Sequence, residues 1–254
     1  ALLFEGFLNK HLYLNIKPDP RIGLLPNPYV GFTKYDYLWD FAWFDNKYYV
    51  YFGVAPVILF YYPVYLFSFT NYIPTYTFMN VILLIFTTSF AFLTLLRFYK
   101  HFSKKFSIVL FALCFMASFL GGGYLFLAMA EEMYNTPILT GVCFMFMMFY
   151  FSLKGIEEDN KTAFLLMGIS FILILSSRPN LTLSLFIILP FLLKYLFKEK
   201  QFFKNIKMFI PCFIALFVGF FLIGTYNYLR FISVFDFGSN YQLTVSDVSK
   251  NKMS

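Results

Sequence analysis

The groups in this sequence best suited to chemistry are a few carboxylates and arginines set between long apolar runs. Asp40 lies in LWDFAWFDNKYYVYFG, framed by Trp39, Trp43 and Phe44. A carboxylate among aromatic rings is a candidate general base. The simpler alternative is a helix cap or an ion pair with Lys47. Asp36 and Asp45 are weaker candidates of the same kind. Arg178 stands in Ser177-Arg178-Pro179-Asn180, between two apolar runs. A guanidinium fixed there suits a phosphate or pyrophosphate, against the plainer reading of an arginine that snorkels to a membrane surface. Arg230 is a similar, weaker case. Glu131 and Glu132 follow an apolar run containing Gly121-Gly122-Gly123. They are either a second pair of site carboxylates or solvated ends of a span, and the glycines either admit a neighbour closely or break the helix.

Other chemistries find little support. Cys114, Cys143 and Cys212 are far apart inside apolar runs and read as small buried hydrophobes. His11 and His101 are too isolated to suggest a metal site. No phosphate-cradling glycine loop, HExxH or CxxC pattern occurs. The carboxylates leave room for a divalent cation, but their spacing does not argue for one.

The elements that must position these groups follow from composition. Of 254 residues, 60% are hydrophobic and only 13% charged, about half the usual charged share of a soluble domain. A soluble chain of this size has no way to hide so much apolar surface, whereas lipid solvates it directly. The net charge of +7 sits in short loops between apolar runs. It therefore reads as membrane topology and lipid headgroup contact, with no nucleic-acid partner.

Residues 1–51 are mixed, and prolines at 18, 20, 26 and 28 exclude a long helix. Short helices are expected at 1–14 and 36–47. Residues 52–70 are apolar, but Pro56, Pro63 and repeated Tyr favour a broken helix lying in the interface over one that crosses. Clean spans are expected at 76–96, 106–129, 137–153, 162–177, 180–193 and 207–226. A single helix over 162–193 would bury Arg178 at mid-membrane, so a tight hairpin is expected, with Pro179 in the first turn of the second helix. Loop 97–105 carries four Lys/Arg and no acid, and loop 194–207 carries five Lys against Glu199. The positive-inside rule makes both cytoplasmic, and the four spans between them keep the parity. The segments around 130–137, 176–180 and 226–254 then face outside, together with residues 1–51 if 52–70 does not cross. The fold expected is an all-α, polytopic transmembrane helical bundle. Its parts are an extracytoplasmic loop with membrane-parallel helices (1–75), a six-helix core (76–226) and the start of a further extracytoplasmic segment (227–254).

This order resembles the GT-C membrane glycosyltransferases, the superfamily of protein mannosyltransferases and the aminoarabinose transferase of lipid A. The likeness is carried by Asn46-Lys47-Tyr48-Tyr49-Val50-Tyr51-Phe52-Gly53 with Ala55-Pro56-Val57 after it. Tyr226-Asn227-Tyr228-Leu229-Arg230-Phe231 with Phe235-Asp236-Phe237-Gly238 adds to it. The resemblance implies transfer of a sugar from a polyprenyl-phosphate-linked donor to an acceptor outside a bacterial plasma membrane. It implies Asp40 as a base, Glu131 and Glu132 as further carboxylates and Arg178 on the donor phosphate; Lys47, Asn180, Tyr48 and Arg230 are the further candidates for substrate binding. The chain departs from the pattern near its start, where only Glu5 stands in place of an Asp-Glu pair. A first span, and with it a catalytic Asp, is expected upstream of Ala1, or else Asp40 takes that role. Two other readings remain from the sequence: a transporter or lipid flippase, and a structural subunit of a membrane complex.

Overall fold

Apolar runs free of Gly and Pro have one cheap conformation when water is scarce, the helix, which satisfies every backbone group within the segment. The computed structural model describes residues 2–29, 37–51, 53–68, 73–102, 105, 107–129, 134–198 and 201–244. The elements are α1 (Leu2–Leu8), β1 (Ala42–Phe44), β2 (Lys47–Tyr49) and α2 (Tyr62–Phe67), which continues a π-helical turn over Val57–Tyr61. They are followed by α3 (Tyr76–Phe102), α4 (Ile108–Gly121), α5 (Tyr124–Met129), α6 (Asn135–Glu158) and α7 (Lys161–Leu175). A 3-10 turn (Pro179–Ser184) then leads into α8 (Leu185–Leu196), α9 (Phe202–Met208) and α10 (Ile210–Phe231).

The chain forms two compact units, one of residues 1–73 and 221–254 and one of residues 74–220. In the second, α6 is the central helix, packed on α3 and α7. Four helices are long and apolar enough to cross a membrane: Tyr76–Phe102, Asn135–Glu158, Pro179–Leu196 and Ile210–Phe231. Two-thirds of the apolar stretch of the Asn135–Glu158 helix is buried in protein, against 22% for the last two. Phe213, Phe217 and Phe221 of α10 stand exposed, a face that water would not tolerate but lipid would. The other two expected spans are shorter. α7 has 15 residues, and the run expected at 106–129 is broken into α4 and α5 by Gly122 and Gly123, the latter at φ 68. Of the two roles open to those glycines, the helix break is the one observed.

Polar groups in this unit tie helices together. Asn80 of α3, fully buried, donates to Leu127 O (3.3 Å) and accepts from the Thr136 hydroxyl (2.7 Å). Thr94 donates to Phe146 O. Gly168 of α7 meets α10 so closely that a Cβ there would lie 2.9 Å from Cys212 O. Arg97 is still helical and binds Glu157 and Glu158 at the end of α6. This contact carries α3 past the predicted end at residue 96. At the turn between α6 and α7, Asp159 is left-handed (φ 48) and accepts from Lys204 Nζ and the Tyr195 hydroxyl, both at 2.6 Å. The Lys204 bond, and then the Tyr195 bond, hold its carboxyl below the usual range.

In the first unit, the helix expected at 36–47 is instead an antiparallel hairpin pairing Ala42 with Tyr49, Trp43 with Tyr48 and Phe44 with Lys47. The reason is local. Asp45 and Asn46 both take positive φ (48° and 54°), the geometry of a two-residue hairpin turn, and the flanking Trp, Phe and Tyr favour strands. Asp36 lies outside the described residues. The helical stretch Val57–Phe67 has 11 residues, about 16 Å of rise, roughly half a bilayer core. Leu243 joins the hairpin edge, donating to Phe41 O and accepting from Asp40 N. Tyr49, Phe231 and Ala42 form the core, with Tyr13, Phe44 and Tyr241 against them.

The turn out of α10 is strained. Ile232 is left-handed (φ 55), a conformation that crowds a β-branched residue, and its side chain is 71% exposed. Ile232→Gly removes the crowding and gives up little burial. It is expected to stabilise the protein by about 1 kcal/mol, read as a higher unfolding midpoint; an unchanged or lower midpoint refutes the strain.

Candidate functional site

The first unit gathers most of the groups singled out in the sequence. Asp40 ends the segment before β1 at φ 61. Its backbone N–H is held by Leu243 O at 3.0 Å, and its Oδ1 accepts from Gln242 Nε2 at 3.1 Å. Oδ2 takes no hydrogen bond among the described residues. Both anchors come from a segment 200 residues away, so the carboxylate is set by tertiary structure. It does not pair with Lys47. The turn brings Lys47 Nζ to Asp45 (3.7 Å) and over the Tyr13 ring (5.2 Å).

Tyr48 points to the opposite face of β2 from Lys47, as strand alternation requires. Its hydroxyl oxygen accepts from Leu38 N–H at 3.2 Å. Burial pushes the phenols of Tyr48 and Tyr49 up, so both stay protonated at neutral pH.

Arg230 is the most committed cation of the unit. It is 3% exposed. One terminal nitrogen donates to Val50 O at 2.7 Å, the other to Asn227 Oδ1 at 2.8 Å. The guanidinium lies 3.9 Å from the centroid of the Tyr226 ring, a cation–π stack. Asn227 in turn donates to Val234 O, so the fork clamps three segments: the end of α10, the strand end at Val50 and the turn at Val234. Asp236 accepts from Gly238 N and Asn240 and shapes the next turn. The i, i+3 spacing of Asn227 and Arg230 places them on one helix face, the one sequence signal for this clamp. Val50 and Gln242 carried no such signal.

Arg178 and Asn180 belong to the second unit. Arg178 follows the end of α7, with backbone φ −145 and ψ 99 and its N–H on Ile174 O. Pro179 opens the 3-10 turn as expected, and the Arg178 guanidinium lies 5.4 Å from the Tyr134 ring. Asn180 is exposed. Glu131 and Glu132 lie outside the described residues. No group of three or more metal-ligating side chains occurs among the described residues.

The second unit also holds an apolar cavity of about 400 Å³ lined by Met148, Met167, Leu189, Cys212 and Phe220 with their neighbours. It has no polar lining. The chain matches no protein-family profile, no curated protein and no solved structure.

Proposed function

We propose that this chain is an integral membrane glycosyltransferase of the bacterial plasma membrane, moving a sugar from a polyprenyl-phosphate-linked donor to an acceptor on the extracytoplasmic side. The observation that carries the reading is Asp40. It has one oxygen fixed by Gln242 and the other open, on a backbone pinned by Leu243. A general base needs this arrangement, since orientation is set before the substrate arrives. Asp40 takes the proton of the acceptor hydroxyl as that oxygen bonds to the anomeric carbon. The bond from that carbon to the phosphate oxygen breaks, and polyprenyl phosphate leaves with the electron pair. Both terminal nitrogens of Arg230 are already engaged inside the protein, which suits it to hold the unit together.

The bilayer reading is supported by four helices of crossing length, three of which carry exposed apolar faces, and the all-apolar cavity suits a lipid chain. The transporter alternative is less favoured. Among the described residues, the buried polar groups Asn80, Thr94 and Thr136 are spent on helix–helix bonds and not on a path.

The test uses the full protein in nanodiscs with labelled polyprenyl-phosphate sugars and follows release of polyprenyl phosphate. Release by the wild type, lowered about a hundredfold or more in Asp40→Asn, is the expected result. A folded protein that releases nothing from any donor would move the assignment to transport or a scaffold.

A further inference from the structure

The turn that carries Asp40 also presents two aromatic rings that the reaction above does not use. Leu38 O accepts from Phe41 N–H at 3.4 Å, which closes a four-residue turn with Trp39 and Asp40 at its corners. The positive φ of Asp40 (61°) fits the third position of such a turn. Bonds from distant segments hold it in place. Leu38 N–H donates to the Tyr48 hydroxyl at 3.2 Å, and Leu243 O and Gln242 fix Asp40.

Tyr37 and Trp39 stand on either side of Leu38. Their rings lie parallel, with 7° between planes and 5.7 Å between centroids, and both residues are partly exposed. Neither is part of the aromatic core of the unit, which gathers around Tyr49, Phe231 and Ala42. The pair is therefore ordered at the surface, on a backbone pinned between the two rings, with the open oxygen of Asp40 next in the chain.

These groups suit a ligand with two kinds of surface. An aromatic face is apolar and electron-rich, and a carboxylate oxygen accepts hydrogen bonds. A pyranose meets both. Its C–H bonds form an apolar, weakly positive face, and the hydroxyls around its edge donate. The match is best for a β-linked, gluco-configured ring, whose ring substituents are all equatorial, so that both faces are made of C–H. A hydrocarbon tail would leave the carboxylate unmet, and a phosphate would be repelled by it.

We propose that Tyr37 and Trp39 form a subsite for a sugar ring, and that the acceptor is a saccharide with gluco-configured residues. This deepens the transferase reading and rests on it for the fate of the bound sugar, from whose hydroxyl Asp40 takes the proton. Binding itself is testable without a donor. The probe is cellohexaose, added to the full protein in nanodiscs and followed by saturation-transfer NMR. Sorbitol, which has hydroxyls but no ring, is the comparator.

Saturation is expected to reach the C–H protons of cellohexaose and not those of sorbitol. Trp39→Ala and Tyr37→Ala are each expected to weaken binding about tenfold, and Trp39→Phe, which keeps a smaller ring, about threefold. If one alanine variant fails to fold, the other carries the test. The chain has two tryptophans, so Trp43→Phe leaves Trp39 as the sole indole reporter. Its emission is expected to shift with cellohexaose and to resist quenching by brominated lipids. Strong quenching by those lipids would place the ring in the bilayer and overturn the subsite. So would absence of cellohexaose binding, or binding unchanged in the alanine variants. Variant-sensitive binding by a protein that transfers no sugar keeps the subsite and discards the transferase. Transfer to a non-saccharide acceptor, undiminished in Trp39→Ala, keeps the transferase and discards the subsite.

Discussion

Arg230→Ala is expected to lower the stability of the protein by about 3–6 kcal/mol, the sum of two lost bonds from a charged donor at about 1.5–3 kcal/mol each. The bonds to Val50 O and Asn227 Oδ1 are both buried, so their acceptors are stranded and water cannot replace the guanidinium cheaply. Removing the stack on Tyr226 adds to the loss. The clamp joins positions 180 residues apart, so damage is expected within residues 1–73 and 221–254. Thermal unfolding in detergent, combined with mapping of new protease cuts, reads both the size and the place of the effect. Arg230→Lys keeps the charge but has no planar fork for two acceptors, and should fall between wild type and alanine. An alanine variant with wild-type unfolding would refute the clamp.

Asp40→Asn is expected to do the reverse: leave the unfolding midpoint nearly unchanged and lower sugar transfer by about 10²–10⁴-fold, the usual worth of a general base. Asparagine tolerates the left-handed backbone at this position, and its side-chain oxygen still accepts from Gln242. The substitution therefore removes the proton acceptor alone. Asp40→Ala is a poorer probe, because alanine at φ 61 adds strain. Full transfer by Asp40→Asn would mean that another group takes the proton. The opposite signatures, fold lost with Arg230 and turnover lost with Asp40, separate scaffold from chemistry within one unit.

The sequence made the long helices legible because hydrophobic runs and their interruptions are local. Pro179 marked the break after α7 correctly, and the ends of α6 and α10 fell within about five residues of expectation. α3 overran its predicted end because Arg97 has partners at Glu157 and Glu158; a charge that ends a run on paper continues it when its partner is near. At 42–49 the structure has a hairpin where a helix is expected, because Asp45 and Asn46 take the positive φ of a two-residue turn. Arg230 was ranked below Arg178 because nothing near it in sequence announces Val50. For Asp40 the sequence offers an ion pair with Lys47, seven residues on, as one alternative, while the observed partner is Gln242, 202 residues on. Partners at that separation leave no periodic trace in one chain.

Asn80 bears on how such a protein is made. Its amide is satisfied by Leu127 O and Thr136, and both emerge from the ribosome some fifty residues later. In the proposed bilayer setting, α3 therefore enters the lipid with an unpaired amide and keeps it until α5 and α6 follow. The insertion machinery would then handle residues 76–158 as one batch, holding α3 at its exit until α6 arrives. A ribosome stalled between positions 102 and 135 should leave α3 crosslinkable to that machinery, and synthesis past Glu158 should release it.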